Sequence, residues 1–416
     1  MNFYLERFGF QSPKFTDLPY PNLKLVIVIP CFNEPDLLRS LKSIYACDLG
    51  DFAVEVITVI NAGLVHSQEI KDKNRATLEE CSAWATTINT SQLQFKFIHE
   101  ENLPKKHAGV GLARKIGMDE AVARFELLKI NGIIVCFDAD ATCDKNFLIE
   151  VNNHFQYNTN SPGCSVYYEH PIEGTEFQQE IYDGIMQYEL HLRYYNQALN
   201  YCNLPYAYHT VGSSMAVRSE IYQAQGGMNK RKAGEDFYFI HKIIAVGGFT
   251  ELKSTRIIPS PRISDRVPFG TGKAVGDWIE SQSTAMLTYQ FEIFNILKAF
   301  VSIVDGLYQT SLEDIDMKLS PAAEEGLKRF LKEQLFEEKL SEVRKNSKDL
   351  KSFQKRFFRW FDAFKVLKFV HFMRDFKYEN RVLYPEVNLL FESAFGLPAS
   401  VSMREQLELL REIERK

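Results

Sequence analysis

The 416-residue chain is predicted to be an α/β protein, a mostly parallel sheet sandwiched by helices and followed by a helical C-terminal region. Three observations predict it. Val- and Ile-rich runs alternate with helix-period segments from residue 23 onward. Several of these runs are continuously apolar, as strands covered on both faces are. Past residue 275 helix formers dominate and turn residues thin out.

Each element follows in order. LKLVIVIP (23–30) is the first strand. The next segment sets Leu37, Leu38, Leu41, Ile44 and Tyr45 on one helical face, with Pro35 suited to a first turn. AVEVITVI (53–60) is the second strand, and a long polar helix runs from it to about residue 90. LQFKFI (93–98) alternates like a half-buried strand. GVGLARKIGMDEAVARFELL (109–128) reads as an amphipathic helix, GIIVCF (132–137) as a buried strand, KNFLIEVNNHF as a helix and CSVYYEH (164–170) as a strand. Such alternation argues for parallel strands with crossover helices. The expected division is an irregular arm over 1–22, a sheet domain over 23–275 and a helical region over 276–416.

Composition narrows the function. Apolar residues make up 45% and charged residues 25%, with a formal charge of −5, which predicts a globular protein without general affinity for nucleic acid. No apolar stretch reaches the ~18 residues that span a bilayer, and MNFYLERFGF lacks a signal-peptide core, so a cytoplasmic location is expected. Seven scattered cysteines without a CxxC pair point to reduced thiols rather than zinc.

Ligands of open α/β sheets bind beyond the carboxyl ends of the strands. The first strand leads into Pro30-Cys31-Phe32-Asn33-Glu34, the second into Asn61-Ala62-Gly63, and the fourth into Asp138-Ala139-Asp140. Asp138 and Asp140 are one residue apart, and in extended chain such positions point to the same side. Like charges placed so repel unless a cation lies between them. Hard divalent cations prefer carboxylate and phosphate oxygens, which suits Mg²⁺ or Mn²⁺ here. The competing reading is an acidic turn capping the next helix; for Asn33 and Glu34 it is likewise a helix cap, and for Asn61 a turn residue.

VIVIPCFNE, GLARKIG, the strand-terminal DAD, GSSMAVR (212–218) and GEDFYF (234–239) occur in that order. Together they resemble the family-2 glycosyltransferases of the GT-A nucleotide-sugar fold, over residues 24–270. That resemblance implies a Rossmann-like GT-A sheet and an inverting, metal-dependent transferase. The enzyme would move a sugar, of hexosyl type, from a nucleotide-diphosphate donor to an acceptor hydroxyl in glycan, glycolipid or polysaccharide synthesis. The resemblance places Asp138 toward the ribose and Asp140 on the metal. It sets Pro30, Asn33 and Glu34 at the base or ribose. Arg114, a few residues into its helix, either approaches the base or diphosphate or lies on that helix's solvated face. Gly212 and Ser213 would lie beneath the sugar. Asp236, with Glu235 as second choice, would be the general base. Asn61 departs from the acidic pair common there, which leaves UDP and GDP both open as the donor nucleotide. The acceptor, a carbohydrate or lipid-linked species, is undefined. A non-catalytic nucleotide-sugar sensor or assembly subunit keeping the fold is the alternative.

Three further segments carry paired readings. RISDRVPFGTGK (262–273) is either a loop closing over the diphosphate, with Arg262 and Arg266 as clamps and Gly270 and Gly272 as hinges, or a surface linker. The Tyr-rich helix over 176–199 either stacks on acceptor sugars through Tyr182, Tyr188, Tyr194 and Tyr195 or fills core. FQKRFFRWFDAFKVLKFVHFMRDF (353–376) either lies on a membrane surface, giving peripheral contact with the membrane's inner face, or packs its aromatics inward.

Overall fold

The structure, a computed structural model, describes residues 2–266, 270–283, 285–400 and 402–416. The chain divides into two compact units: Met1–Tyr182 with His209–Gly276 and Glu414–Lys416, and Asp183–Tyr208 with Asp277–Ile413.

The first unit is built on an eight-stranded sheet. Its strands are β1 (Leu23–Cys31), β2 (Ala53–Gly63), β3 (Leu93–Leu103), β4 (Ile133–Cys136), β5 (Thr142–Cys143), β6 (Gly163–Tyr168), β7 (Met215–Arg218) and β8 (Thr250–Ile258). The order is β3-β2-β1-β4-β7-β6-β8-β5. β3, β2, β1 and β4 run parallel, β7 is antiparallel to both its neighbours, and β8 is parallel to β6. The helices of this unit are α1 (Phe3–Phe8), α2 (Leu37–Tyr45), α3 (Gln68–Ile88), α4 (Val110–Leu128), α5 (Phe147–Tyr157), α7 (Ser219–Ala224) and α8 (Glu235–Ile244); α6 (Gln179–Tyr201) belongs to the second unit from Asp183 onward, and α9 (Thr271–Glu280) to the first unit as far as Gly276. This is a mixed α/β sheet of the GT-A, Rossmann-like kind.

Several boundaries differ from expectation. β2 continues through Asn61 to Gly63 because its ladder with β3 continues, pairing Asn61 with Glu100. Asn61 is therefore a strand residue and not a turn. β7 and β8 were not anticipated: MAVR is too short to show a period, and TELKSTRII carries Glu251, Lys253 and Arg256 among its apolar residues without a strict alternation.

The helix read as amphipathic is not. α4 buries every residue from Gly111 to Phe125, its charged ones included. One side lies on the sheet, so closely that a side chain at Gly117 would meet Val28 Cγ1 at 2.4 Å. Its other side is covered by the N-terminal arm, which the charges of α4 hold by backbone and side chain. Tyr4 Oη donates to Asp119 Oδ1 (2.8 Å) and Phe10 N to Asp119 Oδ2 (3.1 Å). The amides of Lys14 and Phe15 donate to Glu120 at 2.7 and 3.1 Å. Arg124, fully buried, pairs with Glu55 of β2 (2.6 Å) and Asp17 of the arm (3.1 Å). Lys115 pairs with Asp119 at 3.0 Å. Buried charges persist only when paired and hydrogen-bonded, and here the arm supplies much of that pairing.

Tyr4→Phe is expected to lower stability by about 1–2 kcal/mol, since a buried carboxylate loses one donor while the apolar body stays. Urea unfolding measures it; a loss inside experimental error would mean the arm is passive.

The second unit is helical. Besides the antiparallel pair β9 (Leu287–Thr288) and β10 (Arg381–Val382), it holds α10 (Phe291–Ser302), α11 (Pro321–Glu333), α12 (Phe336–Lys345), α13 (Leu350–Trp360), α14 (Ala363–Phe376), α15 (Leu383–Leu390) and α16 (Met403–Arg415). The aromatic run over 353–376 breaks into α13 and α14 at Phe361-Asp362, where Asp362 caps α14 by accepting from Lys365 N. Phe353, Phe357, Phe361, Val366, Phe369, Val370 and Met373 are all buried, so its apolar face is core. Tyr194 is buried and Tyr195 half-buried, both against Phe294. Tyr182 is buried in the first unit. These three tyrosines are packing residues.

Candidate active site

The parallel strands deliver their carboxyl ends to one edge, where the residues singled out in the sequence gather. Cys31 ends β1, and Asn33 then adopts the left-handed region (φ 48°), which asparagine tolerates better than most residues. Its amide donates to Asn74 Oδ1 (2.9 Å), and Asn74 Nδ2 donates to the Asn61 carbonyl (3.0 Å). Asn74 thus ties the tips of β1 and β2 together. Asn61 is itself buried, and its side-chain oxygen has no hydrogen-bond partner among the described residues. Neither Asn33 nor Glu34 caps α2, because Asp36 holds that position and Pro35 lies outside the helix.

Arg114 is the centre of one cluster. It is 2% exposed; its Nη2 donates to Asp138 Oδ1 at 2.5 Å and its Nη1 lies 3.2 Å from Glu235 Oε1. Burial opposes its charge, but Asp138 and then Glu235 outweigh burial and raise its pKa. Arg114 is therefore not on a solvated helix face, the competing reading, and joins the DAD and GED segments. The close approach at Gly212 belongs to the same guanidinium: a side chain there would meet Arg114 Nη1 at 2.2 Å. Ser213 beside it is buried.

Glu34, Asp140, Arg262 and Arg266 form the second cluster. Glu34 is 2% exposed and accepts from Arg262 Nη1 (2.8 Å), Arg266 Nη1 (2.7 Å) and the Asp36 amide (2.9 Å). Burial pushes its pKa up, yet the bond from Arg262, the Asp36 amide and the charge of Arg266 prevail and hold it below the ordinary carboxylate range. Asp140 Oδ2 accepts from Arg262 Nη2 (2.9 Å) and Arg266 Nη2 (3.3 Å). Burial, with Asp138 and Glu34 nearby, still raises its pKa.

The 262–273 segment therefore reaches the β1 and β4 tips through both arginines. Residues 267–269 of it lie outside the described residues. Gly272 is not a hinge, since it falls in the first turn of α9. Beside the arginines lies an open cavity of about 440 Å³, lined by Phe32, Asn33, Ile70, Arg262, Ile263, Ser264, Asp265 and Arg266. Phe32 lies against the ring of His66 at 4.6 Å between centroids. Burial, then Lys232 and Lys71, lower the His66 pKa, and its Nδ1 accepts from Gly63 N (2.9 Å). Sequence reading missed Phe32, His66 and Asn74. Only Phe32 carried a signal, by adjacency to Asn33.

Glu235 and Asp236 open α8. Glu235 is 3% exposed, and burial pushes its pKa up to about 7 despite Arg114. Asp236 is half-buried and accepts from Phe237 N at 2.7 Å through Oδ1. Burial raises its pKa too. Because folded Glu235 keeps a proton that the unfolded chain releases above its ordinary range, stability should fall as pH rises from about 4.5 to 7 and then level off. The expected slope is on the order of 1 kcal/mol per pH unit. Thermal melts across that interval measure it, and Glu235→Gln should flatten the curve; an equal slope in the variant would assign the titration elsewhere.

Asp138 and Asp140 are the carboxylates that could hold a cation at this edge. Asp138 uses Oδ1 on Arg114 and Asp140 uses Oδ2 on the two arginines, leaving one oxygen of each without a protein partner among the described residues. Five carboxyl groups, Glu34, Asp138, Asp140, Glu235 and Asp236, face three guanidiniums, Arg114, Arg262 and Arg266. No group of three or more His, Cys, Asp or Glu able to hold a metal occurs among the described residues, so a cation here would need ligand-borne oxygens as well.

Fold and site define an α/β protein of GT-A type with a carboxylate- and guanidinium-lined edge beyond its parallel strands. No family model matches the chain, and no curated protein matches it. Among solved structures it is similar to S. aureus TarS. The 1–349 fragment in complex with UDP aligns at a TM-score of 0.38 and 13% identity, covering 70% of this chain and 77% of that one. The fragment in complex with UDP-GlcNAc aligns at 0.39 and 12%, covering 94% and 92%.

Proposed function

We propose that this chain is a glycosyltransferase of inverting type, moving a sugar from a nucleotide diphosphate to an acceptor hydroxyl. The observation that carries the reading is the double convergence at the sheet edge. Arg114 joins Asp138 to Glu235, and Arg262 with Arg266 joins Asp140 to Glu34.

In this reading the nucleoside enters the cavity beside Phe32 and Asn33, where an aromatic face can stack on a base. The unpartnered side-chain oxygen of Asn61 can accept from a base N–H, which suits uracil and guanine alike. Arg262 and Arg266 exchange Glu34 and Asp140 for the diphosphate, to which a guanidinium binds in bidentate fashion. Asp138 and Asp140 are the residues to hold Mg²⁺ or Mn²⁺, which when bound would neutralise charge on the departing diphosphate. The acceptor oxygen bonds to the anomeric carbon as the bond to the diphosphate breaks. Its proton passes to Asp236, whose Oδ2 has no protein partner among the described residues. Attack from the face opposite the leaving group inverts the centre.

Thermal-shift measurement with UDP-, GDP- and dTDP-sugars, with and without Mn²⁺, tests donor binding. Donor hydrolysis and transfer to a sugar panel test catalysis. A metal-dependent shift with turnover supports the assignment, a shift with no turnover on any acceptor favours a sensor or assembly subunit, and no shift with any nucleotide removes both.

A further inference from the structure

We propose that α13 and the start of α14 dock this chain onto an anionic phospholipid bilayer. The argument is independent of any reaction at the sheet edge. Phe353 and Phe357 turn α13 toward the core. The opposite, exposed face consists of Lys351, Lys355, Arg356 and Arg359, none of them in an ion pair among the described residues. Lys345 and Lys348 are exposed just before the helix.

Residues 344–368 hold nine Lys and Arg against two Asp, a net +7 within a chain of −5, so the rest of the chain carries −12. Both acids serve as caps: Asp349 accepts from Ser352 N and Asp362 from Lys365 N.

An ordinary solvated face is the competing explanation, and this unit shows what such faces look like. On α11, Glu324 pairs with Lys328 and Glu325 with Arg329; on α16, Arg404 pairs with Glu408. Those pairs are at the i,i+4 spacing that stabilises a helix. Lys351, Lys355 and Arg359 use the same spacing with like charges, which destabilises one. A single-sign face of this kind is relieved by an external anion.

Apolar groups select the bilayer over a soluble polyanion. Leu350 is 39% and Phe364 38% exposed, flanking the cations at either end. Lys365 lies over Trp360 at 5.2 Å and Lys368 over Phe364 at 4.7 Å. Cations with long stems beside aromatic rings suit the headgroup boundary, where one end is apolar and the other charged. No helix among the described residues is long and apolar enough to cross a membrane, so the contact is peripheral.

Flotation of the full chain with vesicles of phosphatidylcholine alone, or mixed with phosphatidylglycerol, tests this. Binding to the anionic vesicles only, lost at high salt, is expected. Replacing Lys351, Lys355, Arg356 and Arg359 by Gln together should weaken binding by several-hundredfold, at roughly fivefold per cation. Leu350→Ser with Phe364→Ser should weaken vesicle binding and leave any binding of polyuridylate unchanged. The proposal is overturned if anionic vesicles do not bind at low salt, or if parent binding is insensitive to salt. It also fails if the quadruple variant, folded by circular dichroism, binds like the parent. Tighter capture of polyuridylate, with the Leu350 and Phe364 changes without effect on vesicles, would replace the bilayer with a soluble polyanion.

Discussion

Replacing Asp140 with asparagine is expected to lower kcat/KM for sugar transfer by about a thousandfold, the scale of several kcal/mol of charge stabilisation at a leaving diphosphate. Stability should move the other way or not at all. Burial, Asp138 and Glu34 together outweigh Arg262 and Arg266 and raise the Asp140 pKa, so a neutral amide at this position relieves unfavourable charge burial in the ligand-free protein. The amide oxygen still accepts from Arg262. Such opposition between activity and stability marks a site assembled for a ligand. Steady-state kinetics and a melt at the same pH check both halves. An active variant, or one destabilised by more than about 2 kcal/mol, as the loss of a structural ion pair would be, contradicts the role.

Arg114→Met should cost about 3–5 kcal/mol, the range for breaking a buried ion pair by removing one partner. Methionine keeps much of the volume but leaves Asp138 and Glu235 facing each other without a guanidinium. Lysine at 114 restores charge without the planar fork, so it should recover only part of the loss. Adding Glu235→Gln to Arg114→Met should also recover part, because the remaining repulsion falls; a double-mutant cycle isolates that coupling. Denaturant unfolding gives all four free energies. A loss below about 1 kcal/mol for Arg114→Met would show that the carboxylates do not depend on Arg114.

How much of this was legible beforehand differs from residue to residue. Asp138, Asp140, Glu34 and Glu235 were found because strand ends and short acidic motifs are local signals. Their partners were not local. Arg262 and Glu34 lie 228 positions apart, and nothing in the sequence tied Arg114 to Asp138 and Glu235 in particular. His66 and Asn74 gave no motif at all. Asn61 was misread as lying just past a strand, because a polar side chain inside a ladder looks like the end of one.

Continuous Val and Ile runs broken by helix-period segments determined the α/β class, since burying both faces of a strand leaves no room for alternation. Helix formers with few turn residues likewise determined the helical character of the later chain. Which charges are buried was decided only in three dimensions. α4 has the composition of a surface helix, yet the arm folded over it turns Asp119, Glu120 and Arg124 into interior groups. A charge is buried or exposed according to what covers it, and covering segments come from anywhere in the chain.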